Sequence, residues 1–422
     1  MRHRITSVVI LLAAIVGFAG APDGLGASRP SDPEGLVVHE WGTFTSVAAE
    51  DGSAVEWVPP QGPRDLPCFV DRVLFNIKGW LPATVRMETP VVYFYSADEK
   101  IVDVRVRFRK GIITEWYPRA AVTPTAIETT TLRKPALEGT IRWNQVRILP
   151  RASENYPVES GSHHYYAARK TDASPIEVRT GVADAGAAAS QREKFLFYRG
   201  IGNFALPLAA MVGADGRVVV KSATAQPLGD VMLFENAGGA RGYRVLGGTG
   251  QEVMLDRPAA AGRDKPVRVA LERMLVANGL YAKEAAAMVE TWRDSWFEEG
   301  LRLFYIVPRA AIDDVLPHEV TPAPASTARV FVGRIELITP AIVAEVKKAV
   351  LAQERAPIVK YGRFLKPILA RVAASSTAAE TARMRRRLPW PAGATDSRAR
   401  SAGARQCLAS FDESSIVANR VT

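Results

Sequence analysis

The stretch Met87–Pro118, METPVVYFYSADEKIVDVRVRFRKGIITEWYP, decides the fold class. Val91–Tyr95 is β-branched or aromatic throughout, as a buried strand would be. Ile101–Phe108 alternates, with Val102, Val104, Val106 and Phe108 on one face and Asp103, Arg105 and Arg107 on the other. Ser96–Lys100 and Arg109–Gly111 supply the polar and glycine breaks that let a chain reverse. Ile112–Tyr117 then closes what reads as a three-stranded antiparallel meander, stable once one face is buried.

The same alternation of short apolar runs and turn signals extends outward over residues 36–247. Leu36–Val47, Thr140–Leu149, His164–Lys170, Ile176–Thr180, Lys194–Arg199, Ala205–Val212, Arg217–Ser222 and Val231–Glu235 read as strands, with a hairpin turn at Asp215-Gly216. This is a β-rich body, either one antiparallel sandwich or two small ones. The period changes after Arg263. Asp264 and Pro266 open a helix that Asn278-Gly279 ends, and Ala282–Glu298 carries Ala285, Met288, Val289, Trp292 and Trp296 on one helical stripe. Strands at Leu301–Val307 and Arg329–Ile338 flank a helical turn at Arg309–Leu316. Thr339-Pro340 caps a helix over Ala341–Ala352, and Ile358–Ala373 reads as one more. Residues 263–374 therefore form a C-terminal α+β unit. Residues 375–422, rich in Arg, Ala and Ser with few large apolar side chains, read as a mostly disordered tail.

The start of the chain reads as a targeting segment. Arg2 and Arg4 precede the apolar run Val8–Val16, which is too short to span a bilayer, and small residues follow. A signal peptide over residues 1–21, with cleavage as late as residue 27, and a flexible leader over 22–35 are expected. No later segment reaches eighteen apolar residues, so an exported, periplasmic or extracellular protein is expected rather than an integral membrane protein. Cys68 and Cys407 are too few for a disulfide scaffold, though one bridge between them is open to an exported chain.

The net charge of +10 does not describe the body. Residues 361–405 hold ten basic and two acidic residues, and with Arg2 and Arg4 they account for all of it. The body is therefore not read as a nucleic-acid binder, and the basic tail is the part expected to touch anionic surfaces.

No nucleophile elbow, Walker loop, H-E-x-x-H or C-x-x-C occurs, and Gly200-Ile201-Gly202 is only half a dinucleotide fingerprint, so no nucleotide cofactor is expected. The remaining candidates are histidines and glutamates beside aromatics. His39, His163 and His164 are the candidate metal ligands; Glu40, Glu88 and Glu115 are the candidate catalytic carboxylates. Strand alternation puts His39 and Glu40 on opposite faces, and likewise separates His163 from His164, so a metal site needs one histidine from each pair. Glu-Trp at 40–41, 56–57 and 115–116 would suit a glycan-processing cleft, although strand tryptophans more often build core. Val38, Glu40 and Phe44 share one face of their strand, and His39, Trp41 and Thr43 the other. Both faces are then partly polar, so Glu40, if buried, must meet an arginine, a histidine or several backbone N–H groups.

The segments HEWGTFTSV, METPVVYFYS, ITEWYP, EKFLFYRGIGNF and TWRDSWFEEGLRLFYIVPR resemble those of a set of exported bacterial proteins of unassigned function. The resemblance covers most of residues 36–340. It implies a shared fold and export, and it transfers no activity and no site residue. The expected function is that of an exported binding or assembly protein with an unidentified ligand or protein partner. The alternative is an exported hydrolase, metal-assisted or not, with a His/Glu site in the β body.

Overall fold

The computed structural model describes residues 35–57, 66–73, 81–125, 131–134, 137–159, 164–180, 190–225, 227–248, 250–259 and 265–387. The expected signal peptide, the expected leader up to residue 34, His163, the helix cap at Asp264 and the tail beyond Arg387 lie outside them. In chain order the first strands are β1 (Val37–Val47), β2 (Asp71–Arg72), β3 (Val85–Tyr95), β4 (Lys100–Arg109) and β5 (Gly111–Tyr117). They are followed by β6 (Ala121–Thr123), β7 (Glu138–Ile148), β8 (Ile176–Arg179), β9 (Ser190–Glu193) and β10 (Leu196–Gly202). Next come β11 (Leu208–Val212), β12 (Val218–Ser222), β13 (Val231–Ala237), β14 (Ala240–Leu246) and β15 (Glu252–Leu255). Helices α1 (Lys265–Ala277), α2 (Ala282–Thr291) and α3 (Arg293–Trp296) lead to β16 (Gly300–Ile306), α4 (Arg309–Val315), β17 (His318–Thr321) and β18 (Ser326–Leu337). Four helices finish the described chain: α5 (Pro340–Ala352), α6 (Arg355–Lys360), α7 (Leu365–Ala374) and α8 (Ala378–Arg387).

Among the described residues these strands form three sheets. The largest has nine strands in the order β14-β13-β16-β18-β1-β3-β10-β5-β2. A six-stranded sheet contains β17, β4, β7, β8 and β9 with β6 paired to β7, and a three-stranded sheet contains β11, β12 and β15. Val38, Phe44, Val92 and Phe94 from the large sheet share one core with Val102, Val104, Val106, Phe108, Ile141 and Val220 from the smaller ones, so the body is a sandwich. The opposite face of the large sheet is buried as well. There Trp41, Tyr93, Phe197 and Phe304 pack with Leu271, Met288, Val289 and Trp296 of α1–α3. A third core under α5, α7 and α8 joins Val47 and Trp57 to Val346, Ile368 and Met384.

This layering sorts the strands of the opening stretch differently from a meander. The three strands form where expected, but consecutive ones do not pair. β3 and β5 both flank β10, whereas β4 lies in the facing sheet between β17 and β7. The burial patterns give the reason. β4 alternates buried and open positions, as suits a sheet with one wet face, while β3 and β5 are buried almost throughout, as suits a sheet covered on both sides.

The C-terminal strands enter the same sheets. β18 runs parallel to β1 along all eleven residues of β1, and β16 lies beyond β18. His164–Arg169, expected as a strand, is a 3-10 helix, and Ile358–Ala373 divides into α6, a short 3-10 turn and α7. The tail expected to be disordered from residue 375 begins instead with α8, where Met384 is buried and Glu380 pairs with Lys347. Thr339 caps α5 through Ile342 N–H, with Pro340 at the first helical position, as its sequence indicates. Gly200 reflects close strand packing, because a Cβ there would sit 2.5 Å from the Ile112 carbonyl oxygen. No described helix is long and apolar enough to cross a membrane.

Candidate functional site

All eleven residues of β1 are buried, so its polar residues must find partners inside the protein. Glu40 points into the sandwich. Tyr198 O–H donates to its Oε1, Arg329 Nε donates to its Oε2 at 2.5 Å, and His318 Nδ1 lies 3.6 Å from Oε2. Burial alone would raise this carboxyl. Arg329 and His318, with the hydrogen bonds from Tyr198 and Arg329, overcome that and hold it below the ordinary value. His318 is pushed down to about 4, by burial first and against the pull of Glu40, so it is neutral at pH 7. Arg329 also reaches Asp313 at 2.6 Å.

His39 points to the other face. Its Nδ1 is 2.8 Å from Glu284 Oε2, and its ring lies 4.4 Å from that of Tyr281. Tyr95 O–H and Tyr281 N–H donate to the same buried carboxylate at 2.7 and 2.8 Å. Glu284 occupies the third position of α2, so this cluster pins the start of that helix to the sheet. His164 Nε2 meets Asp294 Oδ2 at 2.9 Å near the surface. The metal candidates are thus not brought together: His39 and His164 have separate partners, and His163 is outside the described residues. Among the described residues no group of three or more His, Cys, Asp or Glu is placed to hold a metal ion.

Glu88 and Glu115 do share a region. β3 carries a bulge at Thr89, which has a φ of +46°, and β5 carries one at Thr114 opposite Arg199-Gly200. These bulges divide the helix-covered face of the large sheet. One half is apolar, with Trp41, Tyr93, Tyr95 and Phe197; the other is polar, with Thr43, Thr45, Arg86, Glu88, Glu115, Arg199, Arg334 and Glu336. Glu88 accepts from Thr45 Oγ1 at 2.7 Å and from Arg363. Burial would raise the Glu88 carboxyl, but Arg363, the Thr45 bond, Arg334 and Arg199 together keep it low. Glu115 accepts from Thr114 Oγ1 at 2.5 Å and lies opposite Arg199, one strand further from Glu88. Glu88 and Glu115 therefore sit two strand spacings apart, about 10 Å, with Arg199 between them.

Arginines dominate this half. Arg334 donates to Glu298 and Glu336 at 2.7 and 3.0 Å, and Arg302 makes a bidentate pair with Glu336. Arg86 lies 4.9 Å over the Trp57 ring, and its one direct bond among the described residues is a 3.3 Å contact to the Trp57 carbonyl. The reading of the residues picked out Glu88 and Glu115 here and missed Arg86, Arg199, Arg334 and Arg363. Its available signal was single arginines set into otherwise largely apolar strand sequence, in VRMET and RVFVGRIEL. His318 was likewise missed as the neighbour of Glu40.

No family model matches this chain, and no curated protein matches it. Among solved structures, one titled "Yeast delta-COP-I mu-homology domain complexed with Dsl1 WxWxV peptide" is similar at a TM-score of 0.28 and 7% identity. The match covers 72% of this chain and 98% of that one, and a likeness this slight carries no argument about fold or function.

Proposed function

We propose that the chain is an exported binding or assembly protein rather than a hydrolase. The observation that carries this reading is the separation of His39 and Glu40 onto opposite faces of β1, each enclosed by its own partners. A hydrolytic acid–base pair needs two groups reaching one concave space with pKa values pushed apart. Glu40 and Glu88 are instead both held low by arginines, as ionised structural carboxylates are. Export is supported by Arg2, Arg4 and the Val8–Val16 run, and Cys68, which is disulfide-bonded, fits an oxidising compartment.

Metal analysis of the purified mature protein, together with chromogenic ester, glycoside and phosphoester substrates, tests the reading. The expected result is no stoichiometric metal and no turnover. Bound metal, or turnover abolished by Glu40→Gln or Glu88→Gln in a folded variant, overturns it. Intact mass of the exported protein should place the new N-terminus between Pro22 and Ser28; a full-length cytosolic product refutes export.

A further inference from the structure

We propose that the polar half of the helix-covered face, around Arg86, Arg334 and Thr43, binds an oxyanion, the carboxylate or phosphate group of the ligand. The inference rests on the reading of the chain as a binding protein and names the chemistry of what it binds.

Three observations converge. First, the strand register sets a basic row across the sheet, Arg334 on β18, Thr45 on β1 and Arg86 on β3, with Thr43 beside Glu88 in the next row. Arg199 and Arg363 complete the surround of Glu88. Second, the donors outnumber the acceptors that meet them. Among the described residues, Arg334 Nε and Nη1, Arg86 Nε, and the hydroxyls of Thr43 and Thr89 are buried without a hydrogen-bond partner, and Arg363 Nε is in the same state. Buried N–H groups of a guanidinium left without an acceptor are costly, and more so when charged. Third, Arg86 is 2% exposed and, among the described residues, has no carboxylate within ion-pair distance and donates a direct hydrogen bond only to the Trp57 carbonyl. Burial pushes its guanidinium down to about 10, opposed by Glu88 and reinforced by Arg363.

A tetrahedral or planar oxyanion supplies what these groups lack: several acceptor lone pairs and a negative charge. Guanidinium groups match that geometry with paired N–H bonds, and hydroxyls fill the remaining positions. The bulges at Thr89 and Thr114 are the kind of ladder interruption that re-aims side chains beside binding sites.

The test uses the mature full-length chain and two probes, inorganic phosphate and acetate, each against sodium chloride of equal ionic strength. Saturable stabilisation in thermal unfolding by either probe, with broadening of the phosphate 31P resonance for phosphate, is expected. Phosphate acting alone assigns a phosphoryl ligand, and acetate acting alone assigns a carboxylate. Arg86→Gln and Arg334→Gln should each weaken binding at least about tenfold, the loss of one charged hydrogen-bonding group, while the exposed Arg105→Gln leaves it unchanged. Should both variants fail to fold, selenate soaked into wild-type crystals gives the second readout, with anomalous density at Arg86 and Arg334 expected. Neither probe exceeding chloride, or selenate absent from that position, overturns the proposal. A metal-free, non-hydrolytic protein that binds neither anion sinks this inference alone; stoichiometric metal or turnover sinks the reading beneath it.

Discussion

Glu40 and Arg329 are 289 positions apart in the chain and stand directly opposite each other in the sheet, Arg329 Nε 2.5 Å from Glu40 Oε2. The pair ties the first strand to the last, and both side chains are withdrawn from water. An ion pair enclosed like this adds little over a well-packed apolar pair, but losing one member strands the other. Its consequence is registry. β1 can lie beside β18 in one alignment only, because a slip of one residue would carry Glu40 to the helix-covered face.

Removing one member should therefore be severe. Glu40→Gln or Arg329→Met alone is expected to cost about 3–5 kcal/mol, measured by urea unfolding. The double variant Glu40→Leu/Arg329→Met should recover a good part of that loss. Single variants within about 0.5 kcal/mol of wild type would show that Tyr198, His318 and Asp313 suffice without the pair.

The stability profile should fall on the acid side. His318 titrates near 4 in the folded protein and near about 6.5 when unfolded, so between those values the unfolded chain binds the extra proton. Stability then rises with pH across that window, and acidifying from pH 7 to 4 costs up to about 3 kcal/mol from this group. His318→Gln should flatten the profile between pH 6.5 and 4. The lowered carboxyls of Glu40 and Glu88 act the same way at more acid pH: their contribution is present above the unfolded carboxylate range and disappears as they protonate. An unchanged slope in His318→Gln would contradict the assignment.

His39→Ala separates a docking role from a metal role. It removes the donor to Glu284 and leaves a buried carboxylate short of one partner, at a cost of about 1–3 kcal/mol. Metal content should be nil before and after. Loss of bound metal with unchanged stability would reverse that conclusion.

The basic tail divides at Arg387. Truncation after Arg387 should weaken retention on a cation-exchange matrix at low salt and, because it also removes Cys407, should match the melting temperature of a full-length Cys68→Ser/Cys407→Ser variant. Truncation after Ala374 removes α8 with buried Met384 and the Glu380–Lys347 contact, and should lower the melting temperature by several degrees. Equal melting temperatures for the two truncations would mean that α8 adds nothing to the core beneath it.

Much of the local structure was legible in the chain itself. The alternation of Val102, Val104, Val106 and Phe108 marks a strand with one wet face, and β4 is one. Thr339-Pro340 marks a helix start, and α5 begins there. The two polar faces of HEWGTF required a partner for a buried Glu40, and Arg329 and His318 supply it. Local periodicity and capping chemistry are carried by neighbouring residues, so they survive without the rest of the molecule. Pairing across the sheet is not. β3 sits beside β1 and β10 rather than β4, and β18 beside β1, because the large sheet is covered on both faces and its central strands are buried on both. The arginine row has the same origin. Arg86, Thr45 and Arg334 belong to three distant segments, and only the register of β3, β1 and β18 sets them side by side. Burial on both faces of that sheet then makes their unmet hydrogen bonds matter, and no single strand contains that information.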